Sequence, residues 1–413
     1  MIPIIAWRNI WRNPTRSMVV IVAIALGIWA AMFMSGFATG MARSYVNNAI
    51  ETVTAHLQIH HPEYSKDNDV KFRIEEPNKI GQAIAEKPEV KSVSVRTLVN
   101  GMASTAKGTR GIRVKGIEPE MEKSISTLAE DIVEGEFLDS TSRNPVLVSA
   151  EIAEKLGLKL RSKLVLTFQD LNNEIIAGAF RVVGIFDSGN DGFDESNVFV
   201  LRRDVNRLLL SNNEITGVNE LNIAHEIAII LNNPEQLDTV TSQLKSQFPD
   251  LKVETYREVS PDLQLYESQI ETISAIYLTV IMLALIFGII NTMLMAVLER
   301  VRELGMLMAI GMNKIRVFAM IALETILLSV VAAPLGLLLG YLTVAYLGRY
   351  GMNLSAYSDT LSMYGISSIV YFDLDPAVYV QVPVAVAVTA ILASLYPAYK
   401  AIRLRPVEAI HKI

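Results

Sequence analysis

Residues 299–313 read Glu299-Arg-Val-Arg-Glu-Leu-Gly-Met-Leu-Met-Ala-Ile-Gly-Met-Asn313, a charged and amphipathic stretch wedged between two long apolar runs. Glu299, Arg300, Arg302 and Glu303 suit the start of a helix. From Leu304 an apolar stripe continues through Leu307, Met308 and Gly311, at the i, i+3, i+4 and i+7 spacing of one helix face. The stretch is too short to be a domain and too apolar on one side to be a plain loop. Met306, Met308 and Met312 give it an adaptable surface, so it reads as a handle gripped by a partner. A helix lying idle on lipid has the same composition.

The flanking runs set the class of the protein. With 51% hydrophobic residues and a mean hydropathy of +0.33 over 413 residues, the chain is too apolar for an ordinary soluble protein. The excess lies in residues 18–39, 273–298, 317–347 and 377–399, and Glu324 is the one charge within them. About 20 apolar residues make a helix long enough for a ~30 Å hydrocarbon core, and each run reaches that length. Four membrane spans are expected. The first run also exceeds the roughly 7–15 residues of a signal-peptide core, so it reads as an uncleaved anchor.

Lysine and arginine placement orients the spans. Arg8, Arg12 and Arg16 precede the first; Arg300, Arg302, Lys314 and Arg316 separate the second and third; Lys400, Arg403, Arg405 and Lys412 follow the fourth. Both termini are therefore expected in the cytoplasm and residues 44–269 on the opposite side. The cytoplasmic segments carry about +8 and the remainder about −14 of the net −6, an acidic exterior that argues against nucleic acid as a partner. Without cysteine, the outer domain is no disulfide scaffold. The chain has neither a Gly-x-x-x-x-Gly-Lys-[Ser/Thr] phosphate loop nor a Gly-x-Ser-x-Gly elbow.

Ile4, Trp7, Ile10 and Trp11 recur at helical spacing opposite Arg8 and Arg12, which predicts an amphipathic interfacial helix broken at Asn13-Pro14. The outer segment alternates strands and helices. Strands are predicted at 56–60, 90–99, 163–168, 179–186, 198–201, 223–231 and 251–255, with helices at 79–86, 151–157, 204–210 and 234–247. Such alternation suggests one or two mixed subdomains. Residues 263–298 read as one continuous helix of about 54 Å, longer than a bilayer, whose outer end would form a stalk.

His56 and His60 share one face of a strand roughly 13 Å apart, too far for one metal ion. Residues 187–195 lack the EF-hand register, with Gly189 and Val198 where carboxylates are required, and read as an acidic turn. Glu324 inside the third run reads either as a proton or gating site or as a structural interhelical hydrogen bond, with Asn291 of the second run a candidate partner. Gly336 and Gly340, one turn apart, allow close helix contact, and Pro334 should kink the third span.

The 302–313 segment resembles the coupling-helix signature of FtsX/MacB/LolC-type ABC transporter permeases. Tyr396-Pro-Ala-Tyr-Lys-Ala-Ile-Arg-Leu-Arg-Pro-Val-Glu-Ala-Ile410 resembles that family's C-terminal signature, and Trp7-Arg-Asn-Ile-Trp-Arg-Asn13 its N-terminal helix. Pro145-Val-Leu-Val-Ser, Lys155-Leu-Gly-Leu and Phe180-Arg-Val-Val-Gly-Ile-Phe186 resemble the periplasmic domain of lipoprotein-releasing permeases. The resemblance implies a multi-pass bacterial inner-membrane protein with four transmembrane α-helices and a large α+β periplasmic domain inserted between helices 1 and 2. Its segments would be 1–16 (cytoplasmic amphipathic helix), 17–43 (first span), 44–262 (periplasmic domain), 263–298 (stalk and second span) and 299–315 (coupling helix). Then follow 316–347 (third span), 348–376 (periplasmic loop), 377–399 (fourth span) and 400–413 (cytoplasmic tail).

The implied function is that of a permease subunit in a mechanotransmission transporter moving lipoprotein or other amphipathic cargo. The alternative is an FtsX-like transmitter that regulates a periplasmic protein without transport. The chain itself would be no enzyme and bind no cofactor; ATP and Mg would enter through a separate ABC ATPase, seated on Arg302, Glu303, Leu304, Gly305, Met306, Leu307, Ile310 and Gly311. Further implied partners are a second permease, membrane lipids and a periplasmic protein or lipoprotein cargo. No ATPase domain is fused, the 168–180 hairpin is shorter than the family's carrier-recruiting hook, and the 348–375 loop is long enough to cap a lateral opening for lipid-linked cargo.

Overall fold

A computed structural model describes residues 2–210 and 222–403. Residues 404–410 of the C-terminal signature, and all but the start of the 400–413 tail, lie outside them. Helix α1 (Ile2–Arg12) buries Ala6 and Ile10 and leaves Trp7 and Trp11 exposed, edge to face at 5.9 Å. The break falls at Asn13. Pro14 lacks an N–H that a first helical turn leaves unused, so it opens α2 (Pro14–Ala49), and Arg16 belongs to α2 rather than to a helix over 1–16. The chain then widens into a π-turn, Ile50–Thr54, closed by Ala55 at φ 56°.

The outer domain follows. It contains β1 (Leu57–His60), α3 (Tyr64–Asp67), α4 (Pro77–Ala85), β2 (Val90–Thr105), β3 (Gly108–Ile117), α5 (Pro119–Glu122) and β4 (Ile132–Gly135). Next come β5 (Pro145–Ser149), α6 (Ala150–Leu156), β6 (Lys163–Gln169), β7 (Ile175–Phe186), α7 (Asp191–Asp194), β8 (Asn197–Leu201) and α8 (Arg202–Leu209). β9 (Glu226–Leu231), α9 (Leu237–Gln247), β10 (Lys252–Thr255) and α10 (Tyr256–Val259) complete it. Among the described residues the strands form one sheet, ordered β10-β1-β9-β2-β3-β8-β5-β7-β4, with β6 pairing both β2 and β7.

β2 is the spine of this sheet. Its first half, through Arg96, pairs with β9, and its second half, from Thr97, pairs with β3 and β6. Separate apolar clusters form around the two halves: Leu57, Ile59, Val95 and Ile229 on one side, Val114, Val148, Leu166 and Val182 on the other. The β6–β7 hairpin turns tightly at Asp170, whose Oδ1 accepts from the N–H groups of Asn172 (2.8 Å) and Glu174 (2.9 Å). β7 therefore starts at Ile175, four residues earlier than the alternation suggests.

Four long helices carry the apolar runs: α2, α11 (Pro261–Glu299), α13 (Lys314–Tyr350) and α15 (Val378–Ile402). Between α11 and α13 lies α12 (Val301–Ala309). The link from α13 to α15 holds a two-stranded ribbon, β11 (Met352–Asn353) with β12 (Ile369–Val370), and α14 (Ser358–Met363). Glycines set the helix spacing. A Cβ on Gly336 would lie 2.7 Å from Cβ of Ile28 and 2.8 Å from the Ala25 carbonyl, and Gly340 faces Met32, so α13 lies against α2 where both lack bulk. Trp29 of α2 donates from Nε1 to Thr343 Oγ1 at 3.0 Å.

The described chain divides into two compact units: residues 43–266 with 354–368, and the apolar helices with the rest. The 354–368 segment thus belongs with the outer domain, where Asn48 Nδ2 donates to the Gly365 carbonyl at 2.8 Å.

Candidate functional site

α12 is bounded by punctuation at both ends. Arg300 leaves helical geometry at φ −103°, ψ 16° and separates α11 from α12. At the other end Gly311, at φ 102°, closes a Schellman cap: its N–H donates to Met308 O (3.1 Å) and the Met312 N–H donates to Leu307 O (3.0 Å). Asn313 then accepts from the Ile315 N–H at 3.1 Å and starts α13. The stretch is a short helix held between two hard stops.

The face it presents differs from the predicted stripe. Leu304 is 2% exposed and Gly305 is buried, while Leu307, Met308 and Met312 pack half-buried against the apolar helix cluster. Leu304, Leu307 and Met308 of the stripe form the inner face, sharing one apolar cluster with buried Val317, Met320 and Ile321 of α13, and Gly311 alone of the stripe is exposed. Outside lie Arg302, Met306 and Ile310, at i, i+4 and i+8, with Ile310 84% exposed, followed by exposed Gly311 and Ile315. Of the eight predicted contact residues, Arg302, Met306, Ile310 and Gly311 face outward, Glu303 and Leu307 are half-buried, and Leu304 and Gly305 face inward.

A chain of ion pairs grips the N-terminal turn of α12. Arg300 Nε contacts Glu303 Oε2 at 3.1 Å, and Arg300 Nη1 reaches both Glu324 oxygens at 3.3 and 3.4 Å. Glu303 also pairs with Arg12 of α1, and Arg16 of α2 pairs with Glu299 of α11. The Arg12 guanidinium holds the Glu303 carboxyl below its ordinary range. Asn291 was the expected partner of Glu324, but it lies exposed on α11; the buried carboxylate takes Arg300 instead, since an ionised partner neutralises it and an amide would not. The signal was available in the sequence: a short link between spans two and three places their cations close to any acid early in span three.

The outer domain uses its candidate ligands internally. His56 Nδ1 accepts from the Leu231 N–H at 3.2 Å, and His60 contacts the His225 carbonyl (2.9 Å) and Gln58 (3.0 Å). In the 187–195 turn, Asp194 is buried and accepts from the Ser188 hydroxyl (2.6 Å) and N–H (2.9 Å); burial pushes it up to about 7. At the midpoint of β2, buried Arg96 bridges Glu122 (2.6 Å) and Glu226 (2.7 Å). Beside it, burial pushes Lys115, which sits 4.6 Å over the Phe193 ring, down to about 8. Sequence reading missed this cluster because its members are spread over β2, β3, α5 and β9.

Residues 17–247 match the MacB-like periplasmic core domain family, and residues 275–406 match the FtsX-like permease C-terminal family. The chain belongs to the MacB/FtsX-like ABC transporter permeases. It is 21% identical to the lipoprotein-releasing system transmembrane protein LolC of Neisseria meningitidis, over 95% of this chain and 93% of that one. Its identity to LolC of Xylella fastidiosa is also 21%, over 72% of each. Against the macrolide export ATP-binding/permease protein MacB of Nitrobacter winogradskyi it is 24%, over 96% of this chain and 58% of that one. The permease is thus a membrane protein whose domain over β1–β9 is of the periplasmic MacB type, and the chain from residue 275 in α11 onward, with α12 within it, is FtsX-like.

Proposed function

We propose that this permease couples ATP hydrolysis by a separate ABC ATPase to movement of its periplasmic domain, and that the ATPase seats on the outward edge of α12. The observation that carries the reading is an apolar edge left exposed, Met306 and Ile310 along α12 with Ile315 at the start of α13, beside an α12 face and first turn that are fixed. A surface helix that buries one apolar face and exposes a second apolar edge has a use for that edge. ATP and Mg belong to the ATPase, and both termini and α12 lie on its cytoplasmic side, as the lysine and arginine distribution supports. A second permease completes the assembly; α11, which leaves Ile276, Val280, Leu283 and Phe287 exposed along its length, is the open helix that would meet it. The names of the relatives, LolC above all, favour lipoprotein as cargo.

The test is purification of the tagged full chain from its own cells. An ABC ATPase is expected to co-purify with the wild type, and Ile310→Asp should lower its recovery at least ~10-fold, as about 1.4 kcal/mol of lost binding requires. Leu307→Asp, which strikes the packed face, should instead impair folding. Absence of any ATPase on the wild-type chain would sink the proposal. Reconstituted vesicles carrying a triacylated lipoprotein then separate transport from signalling: ATP-dependent release supports the first, and intact retention with domain movement supports an FtsX-like transmitter.

A further inference from the structure

We infer that Arg300 is a positioning residue, the fulcrum on which α12 turns, and that α1 and α13 are tied to the same pivot. The inference rests on the ATPase docking proposed above and assigns how the load is passed on. The ion pairs that the described residues show around α12 gather at its N-terminal end. Arg300 holds Glu303 on α12 and Glu324 on α13 with one guanidinium, and Glu303 holds Arg12 on α1. The Arg16–Glu299 pair adds the start of α2 to the end of α11. Arg12, Arg16 and Arg300 each face a carboxylate, and the most buried pair, Arg300 with Glu324, leaves neither charge without a counter-charge.

The far end of α12 has a different character. It is stopped by backbone hydrogen bonds at Gly311 and exposes Ile310. A helix pinned by side chains at one end and loaded at the other acts as a lever, and the pin must hold direction as well as position. Arginine suits this because its planar fork addresses two carboxylates at fixed angles, whereas a lysine ammonium is a point charge on a flexible stem. The backbone of Arg300 is also where α11 and α12 are uncoupled, so rotation can occur there without bending either helix.

The experiment is a double-mutant cycle of Arg300→Met and Glu324→Met in the full chain, reconstituted in nanodiscs with the co-purified ATPase. The chain has no cysteine, so spin labels at Arg8→Cys on α1 and Ala309→Cys on α12 report one distance. Each single variant strands a buried charge and should fold poorly; the double variant removes both charges and should recover folding and ATPase binding. In the wild type, ATP and vanadate should shift the distance. The double variant should lose that shift and show a broadened distribution without nucleotide. Arg300→Lys should lose the shift as well.

A double variant that keeps the full shift would reduce the pair to a packing element and overturn the inference. Should the wild type bind no ATPase, the docking proposal fails by itself, and the nucleotide-free distributions still decide. A broadened double variant supports the pivot, and identical widths refute it.

Discussion

Gly311 shows how one residue can set the reading of a whole segment. In sequence it falls on the apolar stripe of 304–311; in the structure it is the left-handed stop that lets α12 end and α13 begin three residues later. No side chain lies near its open Cβ position, so the constraint is backbone conformation alone. Gly311→Ala should therefore cost about 1–2 kcal/mol, measured as a lower thermal midpoint of the purified chain, without loss of buried contact. Glu324 makes the complementary point. An acid in an apolar run announces that a partner exists, and the short link between spans two and three narrows it to the cations of that link; which of them it takes depends on how the helix ends meet.

Among the elements, long and strongly apolar helices were readable and short amphipathic ones were readable only in outline. The four runs stand out because ~20 uncharged residues have no other use, whereas α12 has two apolar edges and periodicity cannot say which is buried. β3 went unread for a related reason: from Gly108 to Gly111 it carries Thr and Arg between two glycines and gains apolar alternation only from Ile112. β4, four residues at the sheet margin with Val133 exposed, gives no pattern at all. Helix contact was more legible, since Gly336 and Gly340 mark the strip where α13 meets α2. Gly336→Val should force the helices apart, because a Cβ there already lies within 2.8 Å of the Ala25 carbonyl, a backbone atom that cannot rotate away. The expected loss is about 1–3 kcal/mol, seen as a lower unfolding temperature in detergent.

At the scale of the whole molecule, each compact unit holds a buried ionic centre: Arg300 with Glu324 among the helices, and Arg96 with Glu122 and Glu226 in the periplasmic domain. His225, one residue before Glu226, adds pH dependence to the second. Its Nδ1 accepts from the Leu98 N–H (3.2 Å) and its Nε2 donates to the Val70 carbonyl (2.9 Å), which fixes the neutral ring; burial pushes it down to about 4. A depressed folded value means that its contribution is whole above the ordinary 6.5 and is lost as pH falls toward 4. Chemical denaturation of wild type and His225→Gln side by side should show the wild type losing about 3 kcal/mol relative to the variant over that window, with the opposite contribution of Asp194 common to both.

The strand that carries Arg96 has a consequence for anyone handling this domain. Because β2 gives its first seven residues to one ladder and its remainder to another, no cut or graft at that point yields two self-sufficient pieces. A fragment starting after Arg96 would keep Glu122 and Glu226 without their shared cation, and one ending before it would lose the whole ionic centre. Homologous exchange must therefore move the whole domain as one cassette.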